Sequence, residues 1–159
     1  MTAYLFLKFL HVVGACVLLG TGAGIAFFML FAHMTQKAHI IAPIARIVVV
    51  ADFVFTTTAV IVQPITGYLL AQEVGYSLTE GWLLTSILLY IWTGVFWIPV
   101  VWIQIKMRDL AAIAVERNEP LSERYYNLAG RWVFCGFPAF GAVMAILWLM
   151  IARPSFSLF

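Results

Sequence analysis

The sequence predicts an all-α membrane protein, a bundle of four antiparallel transmembrane helices with both termini outside. Apolar residues make up 64% of the chain and charged residues only 10%, a balance that a soluble core does not absorb. The apolar residues fall into four runs, each longer than the roughly 20 residues a helix needs to cross the hydrocarbon core. The charges gather between those runs. The helices are expected at residues 4–32, 44–70, 82–118 and 124–152, within a single integral membrane domain spanning 1–159.

The first run lacks a basic region ahead of it and is roughly twice as long as a signal-peptide core, so it reads as a retained anchor. The second, third and fourth runs carry Pro64, Pro99 and Pro138. Each proline removes an intrahelical hydrogen bond and kinks its helix, which a bilayer tolerates when hydroxyls or neighbouring helices satisfy the freed carbonyl. Thr66 is placed to do this near Pro64. The third helix is expected to run past the membrane to about Asn118, because Met107 to Ala112 is rich in helix formers and Pro120 follows.

Orientation follows from the basic residues. Lys37 and Arg46 flank the first loop, and Lys106, Arg108, Arg117, Arg124 and Arg131 lie in or near the third, whereas the second offers Glu73 and Glu80. The positive-inside rule then makes the first and third loops cytoplasmic. Lys8 and Arg153 remain on the outer side.

His11 is the conspicuous polar residue, because no charge lies between Phe9 and Phe31. A titratable, metal-ligating side chain at membrane depth is costly and faces a bundle interior, a cavity or a cofactor. Gly14 and Ala15 follow it at helical spacing, so either a neighbouring helix packs closely there or a flat ligand lies against them beside the imidazole. His33 lies roughly 33 Å further along the helix, so two histidines of one chain cannot share an iron. A b-type haem would take His11 as axial ligand and metal-binding residue. Antiparallel threading puts Gln63 to Thr66, Ser86 to Tyr90 and Met144 to Trp148 at the same level. Met144 is then the candidate axial partner, and Gln63, Ser86 and Tyr90 the candidate hydrogen-bonding residues. Lys8 and Arg153 would suit the propionates, or would simply snorkel to the interface. An iron shared with His11 of a second copy leaves a homo-oligomer open.

A second polar feature is Asp52, about two turns into the second helix, at a depth similar to Arg131 in the fourth. An ion pair between them is expected, since an unpaired carboxylate there is expensive. The alternative is a proton or ion pathway continued by Thr56, Thr57 and Thr58. There is no phosphate-binding glycine loop, nucleophile elbow, helical zinc-ligand pair or basic nucleic-acid-binding region. Cys16 and Cys135 read as small buried hydrophobes.

Phe9-Leu10-His11-Val12-Val13-Gly14-Ala15, Leu19-Gly20-Thr21-Gly22, Ala51-Asp52-Phe53, Gln63-Pro64-Ile65-Thr66-Gly67 and Trp102 to Leu110 together resemble the DUF2269 family of bacterial integral membrane proteins. The resemblance covers essentially the whole chain and implies a multi-pass protein of the bacterial inner membrane. More distantly, Lys8-Phe9-Leu10-His11 leading into a glycine-containing run is similar to the opening of HemJ-type protoporphyrinogen oxidases and related copper-resistance membrane domains. In the HemJ group a first-helix histidine serves haem binding, which carries over to His11. Their functional lysine follows a Trp-Leu pair, and Trp82-Leu83-Leu84-Thr85-Ser86 puts Ser86 there instead, a departure that argues against the oxidase reaction. The expectation is a membrane-embedded haem b protein for electron transfer or haem handling. It would work with the lipid bilayer and a redox or membrane protein partner, not nucleic acid. The alternative is a non-enzymatic transport or accessory subunit using Asp52 and Arg131.

Overall fold

The computed structural model describes residues 2–156. Its elements are α1 (Thr2–Met34), α2 (Ala38–Ala51), a π-helical turn (Asp52–Thr56), α3 (Thr57–Val74), α4 (Gly81–Arg117) and α5 (Glu123–Ala152). Helix α2, the π turn and α3 run on as one continuous span, so four spans are long and apolar enough to cross a membrane, Ala3–Met34, Ala38–Val74, Gly81–Arg117 and Glu123–Ala152. The second starts at Ala38, ahead of the expected residue 44, because Pro43 lies inside α2. It is close enough to the start that only one early carbonyl loses its helical partner.

The turns between spans are short and locally encoded. Thr35 caps the end of α1 through its hydroxyl, which donates to the Ala32 carbonyl at 2.6 Å. Gly75 ends α3 in the left-handed region, with φ of 83°, and the Tyr76 amide then reaches back to the Ala71 carbonyl at 2.9 Å, the closure glycine makes easy. Asn118 ends α4 the same way at φ 54°, just ahead of Pro120. Ser122 begins α5, its side chain accepting from the Tyr125 amide, as a helix N-cap does.

Packing differs between the two ends of the bundle. At the end bearing the 35–37 and 118–122 turns, Met29, Ile41, Val48, Met107, Tyr125 and Trp132 are buried in one continuous core. The opposite end holds a smaller cluster of Ala71, Trp82, Leu83 and Leu149. Helices α4 and α5 form an antiparallel hairpin, α2 packs on α4, and α1 lies along α2, the π turn and α3, but α1 touches α5 only lightly. Cys16 is exposed on the outside of α1 and Cys135 is half-buried, so Cys16 is not the buried hydrophobe its apolar neighbours implied.

Pro64 sits inside α3, as expected. The carbonyl it frees, four residues back, is that of Val60, and the acceptor is filled from another helix: the Tyr90 hydroxyl on α4 donates to it. Thr66 does not perform that task, because its hydroxyl donates to the Val62 carbonyl at 2.8 Å. A threonine reaches back one turn of its own helix, and two residues past the proline that reach ends at Val62. Replacing Tyr90 with Phe should therefore strand the Val60 carbonyl and lower stability by about 1–3 kcal/mol, read by thermal unfolding in detergent. Pro64→Ala restores an amide donor to that carbonyl, so the double variant should recover most of the loss. A double variant no more stable than Tyr90→Phe would show that the hydroxyl acts elsewhere.

Candidate functional site

The face of α1 that carries His11 is pressed against α3. Gln63 donates through Nε2 to the His11 carbonyl at 2.8 Å, and His11 Nδ1 lies 2.8 Å from the Thr66 hydroxyl oxygen. The same hydroxyl lies 2.8 Å from the Val62 carbonyl and 3.2 Å from that of Gln63. With its one hydrogen on a carbonyl, Nδ1 is the donor to Thr66, and with that hydrogen turned to Nδ1, the imidazole proton sits on Nε2. Two glycines make the approach possible. A Cβ on Gly14 would run into the Gln63 amide, and one on Gly67 would meet His11 Cε1 at 3.2 Å.

The small residues beside His11 therefore serve mainly to admit α3. Gly14 is buried beneath Gln63, and Ala15 faces inward onto a cavity at the centre of the bundle. The other expected haem contacts do not gather around His11. Met144 is 45% exposed and does not line the cavity. Ser86 is buried with its hydroxyl given to the Trp82 carbonyl at 2.7 Å, and Tyr90 is spent on Val60. Lys8 lies over the Tyr4 ring. Arg153 stacks over Tyr76 and Trp82 and donates to the Tyr76 hydroxyl at 3.0 Å. His33 lies against Tyr125, with ring centroids 5.7 Å apart. Among the described residues no group of three or more His, Cys, Asp or Glu could hold a metal ion.

The second polar site is the central cavity, of about 200 Å³, walled by all four spans. Its wall is mostly apolar, with Asp52, Thr56, Gln63, Tyr90, Thr93 and Gln104 as its polar members besides tryptophan. Asp52, Thr56 and Gln104 are almost completely buried, at 2%, 4% and 3% exposure. Asp52 Oδ2, Thr56 Oγ1 and Gln104 Oε1 make no hydrogen bond of normal geometry, although the Thr56 hydroxyl and the Trp97 indole flank the Asp52 carboxyl. Asp52 and Thr56 open and close the π turn, in which the Thr57 amide reaches back five residues to the Asp52 carbonyl. Such turns occur disproportionately at functional sites.

The expected ion pair between Asp52 and Arg131 does not form. Arg131 is exposed while its neighbour Trp132 is buried in the core, and adjacent positions on a helix point about 100° apart. The levels differ too, since Asp52 lies 14 residues into its span and Arg131 eight residues into α5, roughly 9 Å apart along the bundle. The salt bridge present among the described residues joins Arg108 to Asp109 at 2.7 Å. Gln104, which completes the orphaned set, drew no attention as a site residue in the sequence. Its signal was there, an amide between Ile103 and Ile105 with Trp102 close by, a composition that needs an internal partner at membrane depth.

The seam between α1 and α3 can be tested directly. Gly14→Ala should push the Gln63 amide off the His11 carbonyl and cost about 1 kcal/mol, the net worth of one hydrogen bond. In a Gln63→Ala background the same substitution should cost almost nothing, since no amide then lies over the site. Equal costs in both backgrounds, measured by denaturation in detergent, would place the close contact elsewhere.

No curated protein and no solved structure matches the chain. A family model described as a predicted integral membrane protein matches residues 5–154. That match takes in every span, the His11 seam and the Asp52 cavity together, and so the chain belongs to the DUF2269 family of integral membrane proteins.

Proposed function

We propose that this protein is a transport or accessory subunit of the bacterial inner membrane, and that its working site is the central cavity around Asp52. The observation that carries this reading is the set of three deeply buried oxygens without normal hydrogen bonds, on Asp52, Thr56 and Gln104, all of them residues that line one intramembrane space. Each such atom costs free energy when left unsatisfied away from water. A carboxyl with no cation beside it holds a proton or takes a cationic or hydrogen-donating group from outside the chain. A site arranged in this way is suited to binding and release.

The test uses dicyclohexylcarbodiimide, an apolar reagent that enters bilayers and adds to protonated carboxyls. In the purified protein the main adduct, located by mass spectrometry of peptides, should fall on Asp52 and not on Asp109, whose carboxylate is held by Arg108. Asp52→Leu should remove that adduct and keep or raise thermal stability, because no buried partner is stranded. Arg131→Ala should leave stability unchanged. Failure of the reagent to reach Asp52, or equal destabilisation by the two substitutions, would overturn the reading.

A second reading keeps haem b, with His11 as axial ligand and a role in electron transfer or haem handling. Its support is the hydrogen bond between Nδ1 and the Thr66 hydroxyl, which orients the ring. Bound haem would supply the redox chemistry, and His11 would supply the ligand. Protein purified from haem-replete cells should then show a Soret band that His11→Ala removes and His33→Ala retains. A colourless, folded wild type would exclude this reading and leave the Asp52 reading intact.

A further inference from the structure

We infer that the central cavity receives a slender amphiphile from within the bilayer, an alkyl chain bearing a cationic, hydrogen-donating head that seats against Asp52, Thr56 and Gln104. This inference rests on the cavity being the working site and names what it binds. The polar end of the cavity is defined by what it lacks. Its three atoms without normal hydrogen bonds are a carboxylate oxygen, a hydroxyl oxygen and an amide carbonyl oxygen. Asp52 is the sole charged residue on the wall among the described residues. The carboxylate and amide oxygens accept hydrogen bonds, and the Thr56 and Trp97 donors beside Asp52 bring no positive charge, so the complementary group carries one and donates through it.

The remainder of the wall selects the other half of the ligand. Leu18, Ile25, Val100, Phe140 and Leu147 line the space away from Asp52, and a hydrated ion has nothing to gain from such surfaces. The cavity volume of about 200 Å³ lies below the roughly 300–1,000 Å³ of pockets that enclose drug-sized molecules, which favours a narrow chain over a bulky ring system. Helices α3 and α4 meet chiefly through Tyr90, and the second loose seam, between α1 and α5, offers the entry. Helices α1 and α5 touch only lightly, and a Cβ added at Gly22 on α1 or Gly136 on α5, both of which line the cavity, would meet nothing within 4 Å. Asp52 lies six residues, roughly 9 Å, beyond the exposed Arg46 on the same span, so the head must be carried below the level of that cation. A free amphiphile travels there through lipid, whereas the ammonium of a phospholipid is tethered to its phosphate near the surface.

The experiment places the full-length protein in phosphatidylcholine nanodiscs at neutral pH and measures the rate of dicyclohexylcarbodiimide attachment to Asp52. Decylguanidinium should slow attachment about tenfold more than decanol or decyl sulfate, the scale of one charge-assisted hydrogen bond. Thr56→Val and Gln104→Leu should retain the Asp52 adduct and lose most of that protection, with folding followed by circular dichroism. Gly22→Leu should weaken it by narrowing the entry. Equal protection by all three decyl compounds would overturn the inference, as would full protection in the Thr56 and Gln104 variants. Protection by phosphatidylethanolamine nanodiscs without any added amphiphile would overturn it in favour of a lipid headgroup. Absence of the Asp52 adduct under every condition is a different result, since it removes the cavity reading itself.

Discussion

Inside a bilayer a polar atom has no water to turn to, and the arrangement of this bundle follows from how its polar atoms find partners within the protein. The Val60 carbonyl, released by Pro64, is met by a tyrosine from α4. The same constraint fastens α1 to α3: Gln63 reaches the His11 backbone, and the His11 ring reaches Thr66. These contacts are few, yet they join spans that otherwise meet through apolar surfaces with no preference for one another over lipid. Where the accounting fails to close, at Asp52, Thr56 and Gln104, the bundle has a cavity instead of packed side chains.

Tight and loose packing are segregated along the membrane normal. The end with the buried Met29, Ile41, Met107 and Tyr125 holds all four spans together. Beyond it, the α1–α3 pair and the α4–α5 hairpin part around the cavity, bridged by Tyr90 and rejoined by the smaller cluster near Trp82. A bundle tied firmly at one end and loosely at the other can change its separation at the loose end without dismantling its core. Elements that move are drawn from regions of low local packing, and here that region adjoins the orphaned carboxyl.

Much of this was legible in the residues. Four apolar runs and their proline and glycine punctuation located the spans to within a few residues, because run length and turn chemistry are one-dimensional signals. The contact of His11 with Gln63 and Thr66 also followed from depth alone, since helix rise is uniform and the threading antiparallel. Depth says nothing about direction around the helix axis, and there the reading failed. The burial of Trp132 turns Arg131 outward, away from the cavity that Asp52 lines. Thr66 lies near Pro64 but on the wrong carbonyl. Gly14 leaves room for Gln63, where a flat ligand had been the other candidate occupant. Each of these depends on which neighbour fills a space, and that is decided by packing rather than by spacing along the chain.

The π turn at Asp52–Thr56 bears on how the second span should be understood as a single object. One additional residue in that turn offsets the angular phase of α3 against α2, so the span is two helices sharing an axis but not a common stripe. Below the turn the inward stripe includes Ile41, Ala45 and Val48, and above it Ala59, Gln63 and Thr66. Straightening the turn into an ordinary α-helix without removing a residue would rotate everything beyond it by about 100°. The local backbone would lose nothing, yet Gln63, Thr66 and Gly67 would all leave α1 together. The odd residue therefore acts as a vernier between the two halves of the bundle, setting the dense end and the open end into mutual alignment.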